Sequence, residues 1–151
     1  ALPARSEMCI RDSFQVLHAY GKKNEQPQAH EHYISVPYID DMAAALAVAD
    51  MVVCRSGAMT VAEVTSAALP AVYVPLPHGN GEQALNCRDA AEAGAAAMVD
   101  DAELSPSRLV SEVLKIIGDG GAADRMKAAA KDNATGGAAG VIAQKIVAGI
   151  K

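Results

Sequence analysis

The residues whose types and spacing point to chemistry lie where an apolar run of strand length meets a helix-forming segment. The run at 51–54 (MVVC) is apolar and β-branched, and good helix formers occupy 58–69. Ser56 and Gly57 lie between them and suit a turn. Such a turn leaves unpaired backbone N–H groups and the positive end of a helix dipole beside the strand end. Both favour a bound anion, so the sequence predicts a phosphate or pyrophosphate site here.

Two polar side chains follow on the predicted helix. Thr60 and Glu63 are three residues apart, which places them on one face of the first helical turns. The Glu63 carboxylate could accept hydrogen bonds from a pair of sugar hydroxyls while the helix start faces the phosphates. The spacing therefore predicts a nucleotide site, without identifying the nucleotide.

The wider pattern of elements gives this turn its position. We predict strands at 14–20, 33–36, 51–54, 71–74 and 96–99, and helices at 41–49, 58–69, 83–93, 106–117, 124–132 and 141–150. Asp40 and Ser105 are the predicted N-caps of the first and fourth helices. Alternating strands and helices indicate an α/β fold, with a Rossmann-like parallel sheet and helices on both faces. Ligands bind beyond the carboxyl ends of such strands, where Ser56, Gly57 and the loop 75–83 fall.

Composition excludes several classes of function. The chain of 151 residues carries 18 acidic and 13 basic residues, a net charge of −5, and no basic stripe, which disfavours nucleic-acid binding. The three cysteines have no metal-ligand spacing and form no even disulfide set, so we expect no metal and a reducing, cytoplasmic setting. No apolar run approaches the roughly 18 residues that span a bilayer, and no secretory signal is evident.

The segment 1–13 does not fit this pattern. It has no clear periodicity, and residues 5–13 resemble translated adapter sequence. We therefore predict a non-native segment at 1–13 and a single domain at 14–151.

Three motifs carry a resemblance to a known family. They are IDDM at 39–42, ADMVVCRSGAMTVAEV at 49–64 and LPAVYVPLPHGNGEQALN at 69–86. Together they resemble the C-terminal half of the MurG family, and the last motif is most similar to its actinobacterial members. These enzymes transfer N-acetylglucosamine from UDP-N-acetylglucosamine to lipid I, which forms lipid II in peptidoglycan synthesis. The resemblance implies one half of a GT-B glycosyltransferase: the C-terminal UDP-sugar-binding domain, with the N-terminal acceptor domain missing.

The resemblance also implies roles for individual residues. Ile39 would place its backbone against the uracil, Met59 and Thr60 would contact the diphosphate, and Glu63 would hold the ribose hydroxyls. Gln83 and Asn86 would bind hydroxyls of the N-acetylglucosamine. Further candidates for donor contacts are Ser56, Gly57 and Glu82. Glu82 stands where many members of the family have glutamine, and Arg55 and Ser56 are assigned mainly to shaping the turn.

The implied reaction is inverting and needs no metal and no cofactor. The catalytic base lies in the missing N-terminal half, so no catalytic residue is assigned here and this fragment alone is expected to be inactive. That half would also bind lipid I and hold the enzyme peripherally at the inner face of the plasma membrane. Two alternatives stay open: another UDP-sugar-using GT-B enzyme, such as a glycolipid synthase or a nucleotide-sugar epimerase, or a non-catalytic nucleotide-binding module.

Overall fold

The structure is a computed structural model that describes residues 14–28, 30–118, 120–133 and 138–149. The segment 1–13 lies outside the described residues, and its predicted non-native origin stays a prediction. The chain divides into two compact units, Ala1–Ala45 and Leu46–Lys151. Among the described residues, none of the helices combines the length and the apolar character needed to cross a membrane.

The first unit contains two parallel strands, β1 (Val16–Ala19) and β2 (Tyr33–Val36). Val16 pairs with Tyr33, and the register continues along both strands to their ends. The Tyr20 N–H extends the pairing by donating to the Val36 carbonyl at 2.9 Å. Both strands match the sequence prediction in position, although β1 is shorter than the predicted 14–20.

The first helix, α1 (Met42–Val48), begins one residue later than predicted. The Asp41 Oδ1 accepts a hydrogen bond from the Ala44 N–H at 2.9 Å. An N-cap side chain reaches the N–H two or three residues further on. Asp41 therefore caps this helix, and the prediction that Asp40 does so was wrong.

The second unit contains a three-stranded sheet in the order β3-β4-β5, with both pairs parallel. Its strands are β3 (Val52–Cys54), β4 (Ala71–Tyr73) and β5 (Ala96–Met98). The helix α2 (Ala58–Ser66) connects β3 to β4, and α3 (Glu82–Glu92) connects β4 to β5. A 3-10 turn (Asp101–Glu103) follows, then α4 (Pro106–Ile117), α5 (Ala122–Asn133) and α6 (Ala138–Gly149).

Helices cover both faces of β4, which is buried along its whole length. Tyr73 packs on one face in a cluster with Val64 of α2 and Cys87 of α3. Val72 points to the opposite face and packs with Ile116 of α4. Because successive side chains of a strand alternate between faces, this central strand can be apolar throughout. The predicted class, parallel strands connected by helices on both faces, is confirmed.

Two helix ends show how local sequence sets the bounds. The Ser105 Oγ accepts from the Arg108 N–H at 3.2 Å, with Pro106 at the first position of α4, as predicted. The helix α2 ends at Ser66, three residues before the predicted end, because Ala68 adopts the left-handed conformation with φ of 53°. The Leu69 N–H then donates back to the Val64 carbonyl at 3.2 Å, as in a Schellman motif.

Candidate functional site

The start of α2 is open at the carboxyl end of β3. Gly57 is its N-cap residue, and no side chain caps the helix. The first helical hydrogen bond runs from the Val61 N–H to the Gly57 carbonyl at 2.9 Å. Within the described part of the chain, no hydrogen bond engages the N–H groups of residues 58–60. Three backbone donors and the positive end of the helix dipole are therefore available to an anion.

The conformation of Gly57 does not require a glycine. Its φ of −61° and ψ of 145° are accessible to any residue. A Cβ built on Gly57 would meet only the Thr60 Oγ1, at an ordinary contact distance of 3.8 Å. The missing side chain therefore keeps the approach to the helix start clear, and backbone strain is not the reason for a glycine here.

Ser56 connects the β3–α2 turn to the first turn of α3. Its side chain is completely buried, and its Oγ donates to the Gln83 carbonyl at 2.8 Å. The Ser56 carbonyl in turn accepts from Nδ2 of Asn86 at 3.0 Å. The hydroxyl and the carbonyl of Ser56 are therefore both engaged within the protein, and they connect the turn to α3.

Arg55 holds the other side of the same turn. Its guanidinium donates to the Val74 carbonyl at the end of β4, at 3.1 Å, and forms an ion pair with Asp101. Asp101 belongs to the 3-10 turn after β5 and was not predicted from sequence, because a single acidic residue in a loop carries no motif. Arg55 thus connects the loops that follow three neighbouring strands.

The loop between β4 and α3 is fixed by two glycines and one amide. Gly79 and Gly81 have φ of 72° and 73°, in the left-handed region that favours glycine. The Oε1 of Gln83 accepts from the Leu76 N–H at 3.0 Å, which closes the loop from inside. The Gly-Asn-Gly sequence therefore sets a loop whose end is held by the first turn of α3.

The other predicted donor-binding residues differ in exposure. Met59 is 73% exposed, Glu63 is exposed, and Thr60 is half-buried, all on α2. Glu82 is exposed in the first turn of α3. Ile39 belongs to the first unit and is half-buried there. The hydrogen bonds thus bring together Ser56, Gln83 and Asn86, and the α2 residues follow directly on from Ser56.

The Cys54 thiol at the end of β3 is partly buried and weakly acidic. Burial, together with a smaller contribution from the nearby Cys87, raises the pKa of Cys54 to about 11. Burial also raises the pKa of Tyr73, which lies opposite Cys54 in the sheet. Cys54 is therefore a neutral thiol near pH 7 and a poor nucleophile. Among the described residues, no cluster of three His, Cys, Asp or Glu side chains could hold a metal ion.

Comparison with known proteins identifies relatives of this chain. Residues 2–142 match the glycosyltransferase family 28 C-terminal domain. A relative from Corynebacterium efficiens is 63% identical over 129 residues, covering 85% of this chain and 36% of that protein. A relative from Mycobacterium sp. (strain KMS) is 52% identical over 120 residues, covering 76% of this chain and 32% of that protein. Both are named UDP-N-acetylglucosamine–N-acetylmuramyl-(pentapeptide) pyrophosphoryl-undecaprenol N-acetylglucosamine transferase.

Solved structures show the same architecture. Acinetobacter baumannii MurG superposes with a TM-score of 0.68 and 30% identity, over 79% of this chain and 35% of that one. The calicheamicin glycosyltransferase CalG4 superposes with a TM-score of 0.69 over 89% of this chain and 35% of that one. The two sequences are 20% identical, so this similarity concerns the fold alone. The chain spans well under half the length of the curated relatives that it matches. Since the family match extends over most of the residues, the chain belongs to glycosyltransferase family 28 and corresponds to the C-terminal domain of its members.

Proposed function

We propose that this chain is the donor-binding part of an inverting, metal-independent transferase that moves N-acetylglucosamine from UDP-N-acetylglucosamine to lipid I. The names of relatives at 52–63% identity support the donor and the class of acceptor. The observation that carries the proposal is the uncapped N-terminus of α2 at the end of β3, beside the tethered amides of Gln83 and Asn86. The N-terminus of α2 supplies N–H donors for a diphosphate, and the neighbouring amides supply polar groups for a sugar.

The pyrophosphate of the donor would lie at the start of α2. There it would accept hydrogen bonds from the N–H groups of residues 58–60, including those of Met59 and Thr60. Attack of an acceptor hydroxyl on the anomeric carbon breaks the bond to UDP, and negative charge grows on the leaving diphosphate. The helix dipole and the N–H groups are oriented before reaction, so they would stabilise that charge without a metal ion.

The nucleoside would extend along α2 from the diphosphate. Glu63 lies on the same helical face as Thr60, one turn further on, and its carboxylate is exposed. A carboxylate that accepts from both ribose hydroxyls would form charge-assisted hydrogen bonds. The contact of the uracil with the Ile39 backbone is carried over from the family resemblance.

The sugar would meet α3. Gln83 and Asn86 each use one amide atom within the protein, at Leu76 and Ser56 respectively, so each has a second amide atom to offer a ligand. The exposed Glu82 can accept from a hydroxyl. Since α3 engages both the hydroxyl and the carbonyl of Ser56, Ser56 is assigned to the scaffold of the site.

The remaining parts of the reaction belong to the N-terminal half of the whole enzyme. That half would bind lipid I, supply the general base and contact the inner face of the plasma membrane. The complete enzyme would provide lipid II for cell-wall growth, and through it support cell shape and division. The chain studied alone is expected to bind donor weakly and to catalyse no transfer.

Saturation-transfer NMR with the full chain tests the proposal, because it detects weak ligands. We expect binding of UDP-N-acetylglucosamine and UDP, with weaker binding of UDP-glucose. Glu63→Ala should lower the affinity for UDP about tenfold, which is the loss expected when hydrogen bonds to a charged group are removed. Glu92→Ala, at the exposed far end of α3, is the matched control and should leave UDP affinity unchanged. Absence of UDP binding, or equal effects of the two substitutions, would contradict the proposed site.

A further inference from the structure

The buried hydroxyl of Ser56 makes a contact that the fold of α3 does not require. Gln83 is the second residue of α3, so its carbonyl also lies in the helical pattern in which each carbonyl accepts from the N–H four residues on. The Ser56 Oγ adds a further donor to that carbonyl at 2.8 Å. The Gln83 carbonyl thus has a partner without this bond. The effect of the bond is to fix where the start of α3 lies relative to the β3–α2 turn.

The same contacts fix which atom each amide presents outward. A backbone N–H can only donate, so the Leu76 N–H must meet the Gln83 oxygen, which leaves the Gln83 NH2 group for other partners. A backbone carbonyl can only accept, so the Ser56 carbonyl must meet the Asn86 nitrogen, which leaves the Asn86 oxygen. Within the described residues, no hydrogen bond engages Nε2 of Gln83 or Oδ1 of Asn86.

We propose that Ser56 is a positioning residue that sets the sugar specificity of the site while touching no ligand. Through its hydroxyl it fixes the start of α3, and through its carbonyl it orients the Asn86 amide. The site then presents a donor at Gln83 and an acceptor at Asn86, at a fixed distance from the diphosphate donors of α2. A neutral sugar matches it when one group accepts from Gln83 and another donates to Asn86. This inference rests on the proposed function.

Ser56→Ala tests the inference without removing a required hydrogen bond. The Gln83 carbonyl keeps its helical partner, so the variant should fold. We expect UDP affinity within about twofold of wild type and a loss of about fivefold in UDP-N-acetylglucosamine affinity, the size of one net hydrogen bond. The readout is the ratio of the two dissociation constants, measured by saturation-transfer NMR with the full chain. A role in stability alone would lower the melting temperature and leave that ratio unchanged.

Two further variants keep the test decisive. Ser56→Cys has nearly the same size and a weak S–H donor, so it should recover part of the lost ratio. Ser66→Ala, an exposed serine at the end of α2, should change neither affinity. If Ser56→Ala left the ratio of the two dissociation constants unchanged, including by an equal loss of affinity for UDP and UDP-N-acetylglucosamine, the inference would be overturned. The proposed function would remain intact. Failure of the wild-type chain to bind either ligand would instead overturn the proposed function, and this inference with it.

Discussion

The substitution Gly57→Ala, which adds one methyl group, should distinguish an effect on protein stability from an effect on ligand binding. Gly57 is the N-cap of α2, with φ and ψ that alanine adopts without strain. The added Cβ would contact only the Thr60 Oγ1, at 3.8 Å. It would also project beside Thr60, whose N–H we assign to the diphosphate. Gly57→Ala should therefore weaken ligand binding and change the stability of the protein very little.

The two stability terms of Gly57→Ala nearly cancel. Alanine is a poorer N-cap residue than glycine, which costs about 0.5–1 kcal/mol. Alanine also reduces the conformational entropy of the unfolded chain, which stabilises the fold by about 0.4–1 kcal/mol. The net change in the free energy of unfolding should thus stay within about 0.5 kcal/mol.

The effect on the ligand is larger, because the donors at the helix start face a charged group. Displacing the diphosphate from one N–H loses a charge-assisted hydrogen bond, worth about 1.5–3 kcal/mol. At about 1.4 kcal/mol for each factor of ten, UDP should bind about tenfold more weakly or worse.

Urea denaturation and NMR titration of UDP, on the same preparation of Gly57→Ala, measure both quantities. Uridine lacks phosphates and serves as the control ligand, since its affinity should not respond to the methyl group. Unchanged UDP affinity would refute the assignment of the diphosphate to the start of α2. Equal losses for UDP and uridine would also refute it, because they would indicate a distortion of the whole site.

Two further predictions concern the scaffold. Ala68→Gly should raise the free energy of unfolding by about 0.5–1 kcal/mol in urea denaturation, because alanine at φ of 53° carries a steric cost that glycine lacks; a destabilised variant would contradict this. Cys54 should be alkylated slowly near neutral pH, at a rate that rises with pH up to its pKa of about 11, as followed by mass spectrometry of the peptide. The same raised pKa stabilises the fold below the ordinary thiol pKa of 9.0, and that contribution should be lost as pH rises toward 11. A rate that levels off near pH 9 would contradict the burial of this thiol.

Local signals in the sequence predicted most of the fold. The strand–turn–helix at β3 and α2 was predictable because a β-branched run, a small polar turn and helix formers follow one another. The α4 start was predictable because Ser105 and Pro106 satisfy a known capping pattern. Such features depend on neighbours in the chain, so one sequence suffices to find them.

The errors arise where neighbouring residues offer equivalent choices. Asp40 and Asp41 are both good N-caps, and only the observed helix start decides for Asp41. The end of α2 was predicted too late because Ala68 adopts a left-handed conformation. Alanine is a good helix former, and no neighbouring residue in the sequence indicates this conformation. Tertiary packing of Val64 and Leu69 in the same core cluster accounts for that end.

The structural roles of Gln83 and Asn86 could not be predicted from sequence. Their partners are the Leu76 N–H and the Ser56 carbonyl, and every residue carries such backbone groups. The Ser56–Asn86 contact also spans 30 positions in the chain. Sequence reasoning assigned both amides to the ligand alone, whereas each divides its hydrogen-bonding capacity between the protein and the space beside it.

This division also separates position 82 from the scaffold contacts made by its neighbour. Glu82 is exposed in the first turn of α3, and within the described residues no hydrogen bond or ion pair engages its carboxylate. Its charge is stabilised there by the positive end of the helix dipole. Gln83, one residue later, closes the β4–α3 loop through its Oε1. Glu82→Gln would therefore change the group that a ligand meets, from acceptor only to donor and acceptor, and would leave the scaffold contacts in place.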